Sequence, residues 1–136
     1  GGMKEMLSGL IGVNSSAKAS VARSRDDRQK NMKGVPEPLI AEHPVVRTHP
    51  ETGRKGLYVN PGMTVRLEGF EADESEALLG FLFGHATQHQ FIYRHRWRQG
   101  DVVIWDNRSL MHCAVCNYGD QPRYMERTTG IGDQPV

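Results

Sequence analysis

The stretch WDNRSLMHCAVCNYGDQPRYMERTTG, residues 105–130, contains one histidine followed by two arginines that lie four residues apart. Its end continues into RYMERTTGI, residues 123–131, which alternates like a half-buried β-strand, and its start belongs to the apolar run DVVIWD, residues 101–106. On a strand, Arg123 and Arg127 would lie on one face, because side chains at i, i+2 and i+4 point the same way. The stretch therefore predicts a β scaffold with two guanidinium groups on one face.

The shared face of Arg123 and Arg127 has two interpretations. Two neighbouring guanidinium groups repel each other, so their burial requires anionic partners. A guanidinium also binds a carboxylate or sulfonate through paired hydrogen bonds. The pattern thus indicates a site for two small anions or one dianion. The alternative is the solvent-exposed face of an edge strand, where most charged strand residues lie.

His112 follows the apolar strand after a short connection, where β scaffolds often present metal ligands. The alternative is a histidine whose ring is hydrogen-bonded for structural reasons. The two cysteines of the chain, Cys113 and Cys116, have the C-x-x-C spacing of a zinc site. The sequence lacks a second cysteine pair, and on an extended segment the two thiols would point to opposite faces. Both features argue against zinc and against a redox pair.

Outside this stretch, the sequence predicts a mainly β protein with flanking helices, compatible with a jelly roll or a sandwich. Apolar side chains recur at three- and four-residue spacing over residues 3–13, which predicts a short amphipathic helix with little obvious partner in the chain. Residues 73–88 predict a longer helix, with Asp73 as N-cap and Glu76 completing a capping box. Further strands are predicted over residues 43–49, 56–60, 63–70 and 91–98.

Length and composition exclude several classes of protein. At 136 residues the chain is long enough for one domain with its own core. The net charge is +1 with acids and bases interspersed, so nothing indicates nucleic acid or an anionic membrane as a partner. No apolar run approaches the roughly 20 residues that span a bilayer, and two cysteines are too few for a secreted disulfide framework. We expect a soluble cytoplasmic protein.

Four longer segments carry a more specific pattern. They are HPVVRTHPETGRKGLYVN (43–60), ESEALLGFLFGHAT (74–87), RHRWRQGDVVIWDNRSLMH (94–112) and RYMERTTGIGD (123–133). Together they closely resemble the C-terminal half of the taurine dioxygenase (TauD/TfdA) family of Fe(II)- and 2-oxoglutarate-dependent oxygenases. The resemblance implies a double-stranded β-helix, a form of jelly roll. Residues 1–34 would be an N-terminal helix and a variable polar segment, and residues 35–136 the C-terminal part of the fold.

The resemblance also implies roles for four residues. His112 would be the distal histidine ligand of an Fe(II) site made by two histidines and one carboxylate, which leaves positions open for 2-oxoglutarate and O2. Arg123 would bind the distal carboxylate of 2-oxoglutarate, and Arg127 the acidic group of the primary substrate, a sulfonate in the taurine enzymes. Met63 matches a pocket position at which the taurine enzymes have phenylalanine, and this departure puts taurine itself in question as the substrate.

The family's other two iron ligands form a His-x-Asp pair. His-x-Asp or His-x-Glu occurs in this sequence only as His49-Pro50-Glu51, which lies in a predicted turn, has proline in the middle and matches a family segment without a ligand. We therefore expect a truncated chain that holds one of three iron ligands and is inactive alone. The parent protein would be an enzyme that hydroxylates a small sulfonate, sulfate or other acidic substrate, and we expect this chain to form a homo-oligomer. The alternative is a non-catalytic, self-associating β module that at most binds small anions.

Overall fold

The computed structural model describes residues 1–18, 37–115 and 117–136. Its regular elements are α1 (Gly2–Leu7), β1 (Ile11–Ser15), β2 (Ile40–Pro44), β3 (Val46–Thr48), β4 (Lys55–Leu57), β5 (Thr64–Leu67), α2 (Ala72–Ala86) and a short 3-10 helix (His89–Phe91). The described part is thus mainly β with few helices, as the sequence predicts. None of these helices is long and apolar enough to cross a membrane. Most of the expected variable polar segment lies outside the described residues.

β1 is the central strand of a three-stranded antiparallel sheet with the order β2-β1-β5. Within it, Gly12 faces His43 of β2 on one side and Leu67 of β5 on the other. The helix predicted over residues 3–13 is therefore wrong beyond Leu7. Pairing on both sides satisfies the backbone of β1, and this long-range gain outweighs a weak local helical periodicity.

β3 and β4 form a two-stranded antiparallel hairpin, in which Val46 faces Leu57 and Thr48 faces Lys55. Its turn is closed by Gly53, which has a φ of 65° and donates its backbone N–H to the His49 carbonyl at 2.8 Å. A positive φ favours glycine because other residues carry a Cβ that clashes there. The two strands and the turn between them, predicted from the sequence, are confirmed. We refer to residues 46–57 as the hairpin.

α2 confirms the longer predicted helix, but its N-terminus is organised differently from the prediction. The N-cap is Glu71 rather than Asp73, and the capping box joins Glu71 to Glu74 rather than involving Glu76. The Glu71 N–H donates to the Glu74 carboxylate at 3.1 Å. Asp73 lies in the first turn, where a negative charge interacts favourably with the helix dipole. The N-cap, and with it the first helical residue, therefore lies two residues before the predicted position.

The hydrophobic core joins both helices, β5 and the two ends of the hairpin. Its buried members are Leu7, Val45, Val59, Leu67, Leu79 and Leu82. Leu7 belongs to α1 and has a partner in this core, contrary to the expectation from sequence, whereas Met3 and Met6 of the same helix are exposed as that expectation implies. The backbone N–H of Leu67 also donates to the Ser75 hydroxyl at 2.8 Å, a buried bond that ties β5 to α2.

The C-terminal part of the chain departs most from the sequence predictions. None of the described residues from 92 to 136 belongs to a strand, so the strands predicted over residues 91–98, 101–106 and 123–131 are wrong for this structure. The alternation of apolar and polar residues indicates which side chains would share a face. A strand also requires a neighbouring strand whose backbone forms hydrogen bonds with it. Large apolar side chains here are open to solvent, with Ile104 at 92% and Tyr124 at 94% exposure.

We expect this chain to self-associate, because exposed apolar side chains and unpaired extended backbone tend to pair with other chains. Light scattering from about 1 to about 100 µM should show dimers or larger species. Ile104→Lys should shift the distribution toward monomer, since Ile104 lies in the exposed C-terminal part. Leu39→Lys is the matched control, because Leu39 is also exposed but precedes β2. A monomer at every concentration, or an equal response of both variants, would contradict the expectation.

Candidate functional site

His112, the predicted iron ligand, is exposed. Its ring lies against the indole of Trp105, with the ring centroids 4.8 Å apart and the planes at 49°. The Trp105 Nε1–H donates to Asn107 Oδ1 at 2.8 Å, which holds the indole in a defined orientation. Among the described residues, the Trp105 contact is the one interaction that the His112 side chain makes. Its ring nitrogens are therefore free of protein partners within this part of the chain.

The two predicted anion-binding arginines lie in a segment that forms no strand. Residues 123–131 are not a strand, so the same-face argument for Arg123 and Arg127 does not hold in this structure. The Arg123 guanidinium lies 5.5 Å from the centroid of the Tyr118 ring, a cation–π contact. Arg127 is exposed and forms no ion pair with any described residue. Neither arginine has an acidic partner in the described part, so both guanidinium groups remain available to an external anion.

Met63, the predicted substrate-pocket residue, is half-buried in the turn before β5. Its backbone N–H donates to the Asn60 carbonyl at 3.0 Å, and its carbonyl accepts the Ser15 N–H at 2.9 Å. No hydrogen bond, ion pair or ring contact joins any two of the four predicted site residues within the described ranges. The contacts of the described residues therefore do not join these four into one site.

The described residues do not make up a metal site. They include no group of three or more histidine, cysteine, aspartate or glutamate side chains that could hold a metal ion. For iron, His112 offers a single imidazole, which falls short of a three-ligand set. For the zinc alternative, Cys113 is an exposed free thiol, while Cys116 lies outside the described residues. The described part thus does not fit iron or zinc on its own.

The structure does assemble a polar cluster that the sequence patterns did not reveal, made by His49, Glu51, Asp106 and Arg108. The Arg108 Nε and Nη2 donate to Asp106 at 2.8–3.0 Å, and Arg108 Nη1 lies 2.9 Å from Glu51 Oε1. His49 Nε2 lies 3.0 Å from Asp106 Oδ2. The polar cluster therefore connects the turn of the hairpin to the segment that leads to His112.

The His49 ring is fully engaged in the polar cluster. Its Nδ1 accepts the backbone N–H groups of Glu51 and Thr52, both at 3.3 Å. Because Nδ1 accepts, Nε2 carries the proton and donates to Asp106. Neither nitrogen is left for a metal, which supports the interpretation that the His49-Pro50-Glu51 match is structural.

Charge within the polar cluster is strongly stabilised. Hydrogen bonds from the Arg108 guanidinium, and then from His49, hold the pKa of the Asp106 carboxyl well below its usual range. Asp106, together with Glu51, raises the pKa of the Arg108 guanidinium. The Asp106 pair with Arg108 is therefore ionised over the whole range in which proteins work.

A second polar contact joins the hairpin to the C-terminus. Arg47 in β3 is only 4% exposed, its guanidinium lies 5.0 Å from the Tyr58 ring centroid, and its Nη2 lies 3.1 Å from Asp133 Oδ2. The Thr48 N–H donates to the Val136 carbonyl at 2.9 Å. A hydrogen bond from its own backbone N–H, and the Arg47 guanidinium, lower the pKa of Asp133. The hairpin thus holds two C-terminal segments.

Comparison with known proteins identifies the family. The model of the taurine catabolism dioxygenase TauD, TfdA family matches residues 2–129. The chain belongs to this family. The resemblance inferred from the four sequence segments is confirmed, and the match begins at residue 2, well before the first of those segments.

Several known proteins are similar to this chain in sequence or structure. An alpha-ketoglutarate-dependent sulfate ester dioxygenase of Pseudomonas putida is 44% identical over 95 residues, covering 70% of this chain and 31% of the relative. An alkylsulfatase of Acinetobacter baylyi is 47% identical over 92 residues, covering 68% and 29%. A taurine dioxygenase structure from Burkholderia xenovorans superposes with a TM-score of 0.62 at 37% identity, covering 79% and 32%. The chain spans about a third of the length of these relatives.

From the polar cluster we expect the stability of the chain to depend on pH in the acid range. A folded-state pKa of Asp106 below its ordinary value means that its stabilising effect is complete above about pH 4 and is lost as the pH falls further. Thermal unfolding midpoints should therefore be lower for Asp106→Asn than for the parent chain near pH 5, and the difference should shrink toward about pH 2. Asp120→Asn is the control, because Asp120 forms no ion pair with described residues. A difference that does not change with pH would contradict this assignment.

Sequence reasoning missed the polar cluster for a definite reason. His49 and Asp106 are separated by 57 positions, so no spacing rule places them together. The one signal in the sequence was that both tripeptides, His49-Pro50-Glu51 and Asp106-Asn107-Arg108, contain ionisable side chains and lie within resembling segments. Nothing in the sequence indicated that they would be in contact.

Proposed function

We propose that this chain is the C-terminal part of an Fe(II)- and 2-oxoglutarate-dependent dioxygenase that oxidises a small organic sulfate, sulfonate or similar acid. The observation that carries the proposal is the family match over residues 2–129, together with a relative named as a sulfate ester dioxygenase. The complete fold would be a double-stranded β-helix, in which further polypeptide pairs with the exposed apolar residues of the C-terminal part. The proposal therefore concerns the assembled protein rather than this chain alone.

The four predicted residues keep their roles in the proposal. His112 would supply one iron ligand, and the other two would come from polypeptide outside the described residues. Arg123 would bind the distal carboxylate of 2-oxoglutarate, Arg127 the acidic group of the primary substrate, and Met63 would line its pocket. The exposure of both arginines, and their lack of acidic partners among the described residues, support an anion-binding role. Bound iron would supply the oxidation, while these residues position two anions beside it.

The overall reaction on a sulfate ester would balance as follows. One O2 and one 2-oxoglutarate are consumed, the carbon that bears the ester oxygen is hydroxylated, and succinate and CO2 are formed. The hydroxylated ester then breaks down to an aldehyde and sulfate. With a sulfonate, the same hydroxylation at the carbon next to sulfur releases sulfite and an aldehyde.

A chimera tests the proposal directly. This chain would replace the matching segment of the Pseudomonas putida sulfate ester dioxygenase, with which it is 44% identical over 95 residues. We expect aldehyde release from an alkyl sulfate that requires both Fe(II) and 2-oxoglutarate. The unmodified relative is the positive control, and the chimera without added iron is the negative control. A folded chimera that binds iron but neither consumes 2-oxoglutarate nor releases aldehyde from sulfates or sulfonates would overturn the proposal.

The rival function is a self-associating module without catalysis, and two observations favour it for this chain alone. These are the exposed apolar side chains of the C-terminal part and the lack of a three-ligand metal group among the described residues. Such a module would bind small anions at most. Under this alternative the chimera would be inactive, whereas the proposal requires it to turn over.

Iron binding should differ between the isolated chain and the chimera. We expect no stoichiometric binding, because a single imidazole does not hold Fe(II) against water. Anaerobic titration with Fe(II) and 2-oxoglutarate should therefore give no visible charge-transfer band, whereas the chimera should give one. A charge-transfer band at one iron per isolated chain would contradict this expectation. If that band appeared only at concentrations at which the chain dimerises, it would show that two copies share the iron ligands.

A further inference from the structure

The hairpin contacts the C-terminal part at two places that lie close together on one strand and its turn. The first anchor is the polar cluster, in which His49 and Glu51 hold Asp106 and Arg108. The second anchor is the Arg47 pair with Asp133 and the Thr48 bond to Val136. Arg47 and His49 are two residues apart, so their backbones lie about 7 Å from each other.

The first anchor organises the turn that leads to His112. The Asp106 carboxylate accepts the Arg108 backbone N–H at 2.8 Å as well as its guanidinium. The Asp106 carbonyl accepts the Leu110 N–H at 3.0 Å and the Ser109 N–H at 3.2 Å. One aspartate thus closes the turn over residues 106–110, and its hydrogen bond from His49 ties that turn to the hairpin.

The second anchor is built around a buried charge. Arg47 is only 4% exposed, and its Nε is buried without a partner among the described residues. A buried guanidinium is costly to separate from its anion, because the uncompensated charge would remain in a poorly solvated place. Asp133 is therefore held to the hairpin more firmly than an exposed ion pair would be.

We infer that the hairpin is a positioning element that fixes both ends of residues 106–133, with His49 and Arg47 as its positioning residues. The segment between the anchors carries His112, Arg123 and Arg127. Fixing its two ends to hairpin residues whose backbones lie about 7 Å apart restricts the arrangements that the segment can adopt. The anchoring is a property of the chain itself, and only the roles of the three residues rest on the proposed function.

Hydrogen exchange of the full chain, followed by mass spectrometry, tests the first anchor. His49→Ala should speed exchange in peptides covering residues 106–112 by about tenfold or more, because the turn loses its tie to the hairpin. Exchange in peptides covering α2 should change by less than about twofold, which shows that the fold persists. His49→Gln should restore most of the protection, since an amide N–H can reach the Asp106 carboxylate.

A matched variant provides the control for this experiment. His95 pairs with Asp101 at 3.1 Å, a histidine–aspartate contact between the same atoms at nearly the same distance, and it does not involve the hairpin. His95→Ala should therefore leave exchange over residues 106–112 unchanged. Equal effects of His49→Ala and His95→Ala, or no effect of His49→Ala, would overturn the inference.

A separate variant tests the second anchor. Asp133→Asn keeps a hydrogen-bond acceptor for Arg47 but removes the negative charge. We expect faster exchange over residues 130–136 and at the Thr48 amide, with little change over residues 106–112. Faster exchange across α2 as well would mean that the pair stabilises the whole fold rather than one end of the segment, and would overturn the two-anchor arrangement. None of these measurements depends on iron or on turnover. The two-anchor inference can therefore fail while the proposed function stands, and the proposed function can fail while the inference stands.

Discussion

The His112→Ala variant of the chimera is expected to lose essentially all 2-oxoglutarate-dependent turnover. His112 is the one iron ligand that we assign to this chain, and removing a ligand is more damaging than removing a group behind it, which costs roughly 10- to 100-fold in metal affinity. We therefore expect a loss of at least about 100-fold in Fe(II) affinity. Iron titration followed by the charge-transfer band, and aldehyde release under excess iron, measure the two effects separately.

The control for this prediction is His89→Ala, because His89 is exposed in the short 3-10 helix and has no role in the proposed site. This variant should retain the iron affinity and turnover of the chimera. A His112→Ala chimera with an unchanged iron affinity would remove His112 from the site, even if the family function remained. His112 is exposed, so among the described residues the substitution removes only the ring contact to Trp105.

The second large effect separates the two arginines, which we assign to different anions. Arg123→Ala in the chimera should raise the apparent Michaelis constant for 2-oxoglutarate and leave the preference among sulfates and sulfonates largely unchanged. Arg127→Ala should weaken binding of the primary substrate and uncouple the reaction, so that 2-oxoglutarate is consumed with little product. Loss of a charge-assisted pair in a partly buried site costs about 2–5 kcal/mol, or roughly 30-fold to several-thousand-fold.

Lysine at either position is the informative comparison. It keeps the positive charge but loses the paired donors of the guanidinium, so it should restore only part of the lost binding. Steady-state kinetics with each ligand varied in turn gives the two Michaelis constants and the coupling ratio. If both alanine variants weaken both ligands equally, the division of roles is wrong and the arginines form one shared anion site.

Four of the described arginines, Arg47, Arg108, Arg123 and Arg127, differ in their partners. Arg47 and Arg108 are paired with carboxylates that belong to the chain, whereas Arg123 and Arg127 have no acidic partner among the described residues. A guanidinium already neutralised by an internal carboxylate contributes little to binding an external anion. This difference supports the assignment of structural roles to the first group and ligand-binding roles to the second.

The sequence by itself determined the family, the hairpin and α2. The family pattern depends only on which residue occupies each position of the chain, and the amino-acid sequence contains all of that information. The hairpin was predictable because its turn is local and contains Gly53, whose positive φ is unfavourable for other residues. The α2 helix was predictable because its apolar residues recur within one short segment, although its capping box joins Glu71 and Glu74 rather than the predicted residues.

The tertiary structure alone decided which segments pair and which do not. Ile11 to Ser15 form a central strand because two other strands bond both of its edges, although the local spacing favoured a helix. The segments after residue 92 in which apolar and polar residues alternate form no strand among the described residues. The alternation indicates which side chains would share a face, but it does not provide a neighbouring strand to pair with. His49 meets Asp106 across 57 positions because the hairpin and the C-terminal segment are brought together by folding. Contacts of this kind depend on distances in space, which the spacing of residues along a chain does not encode.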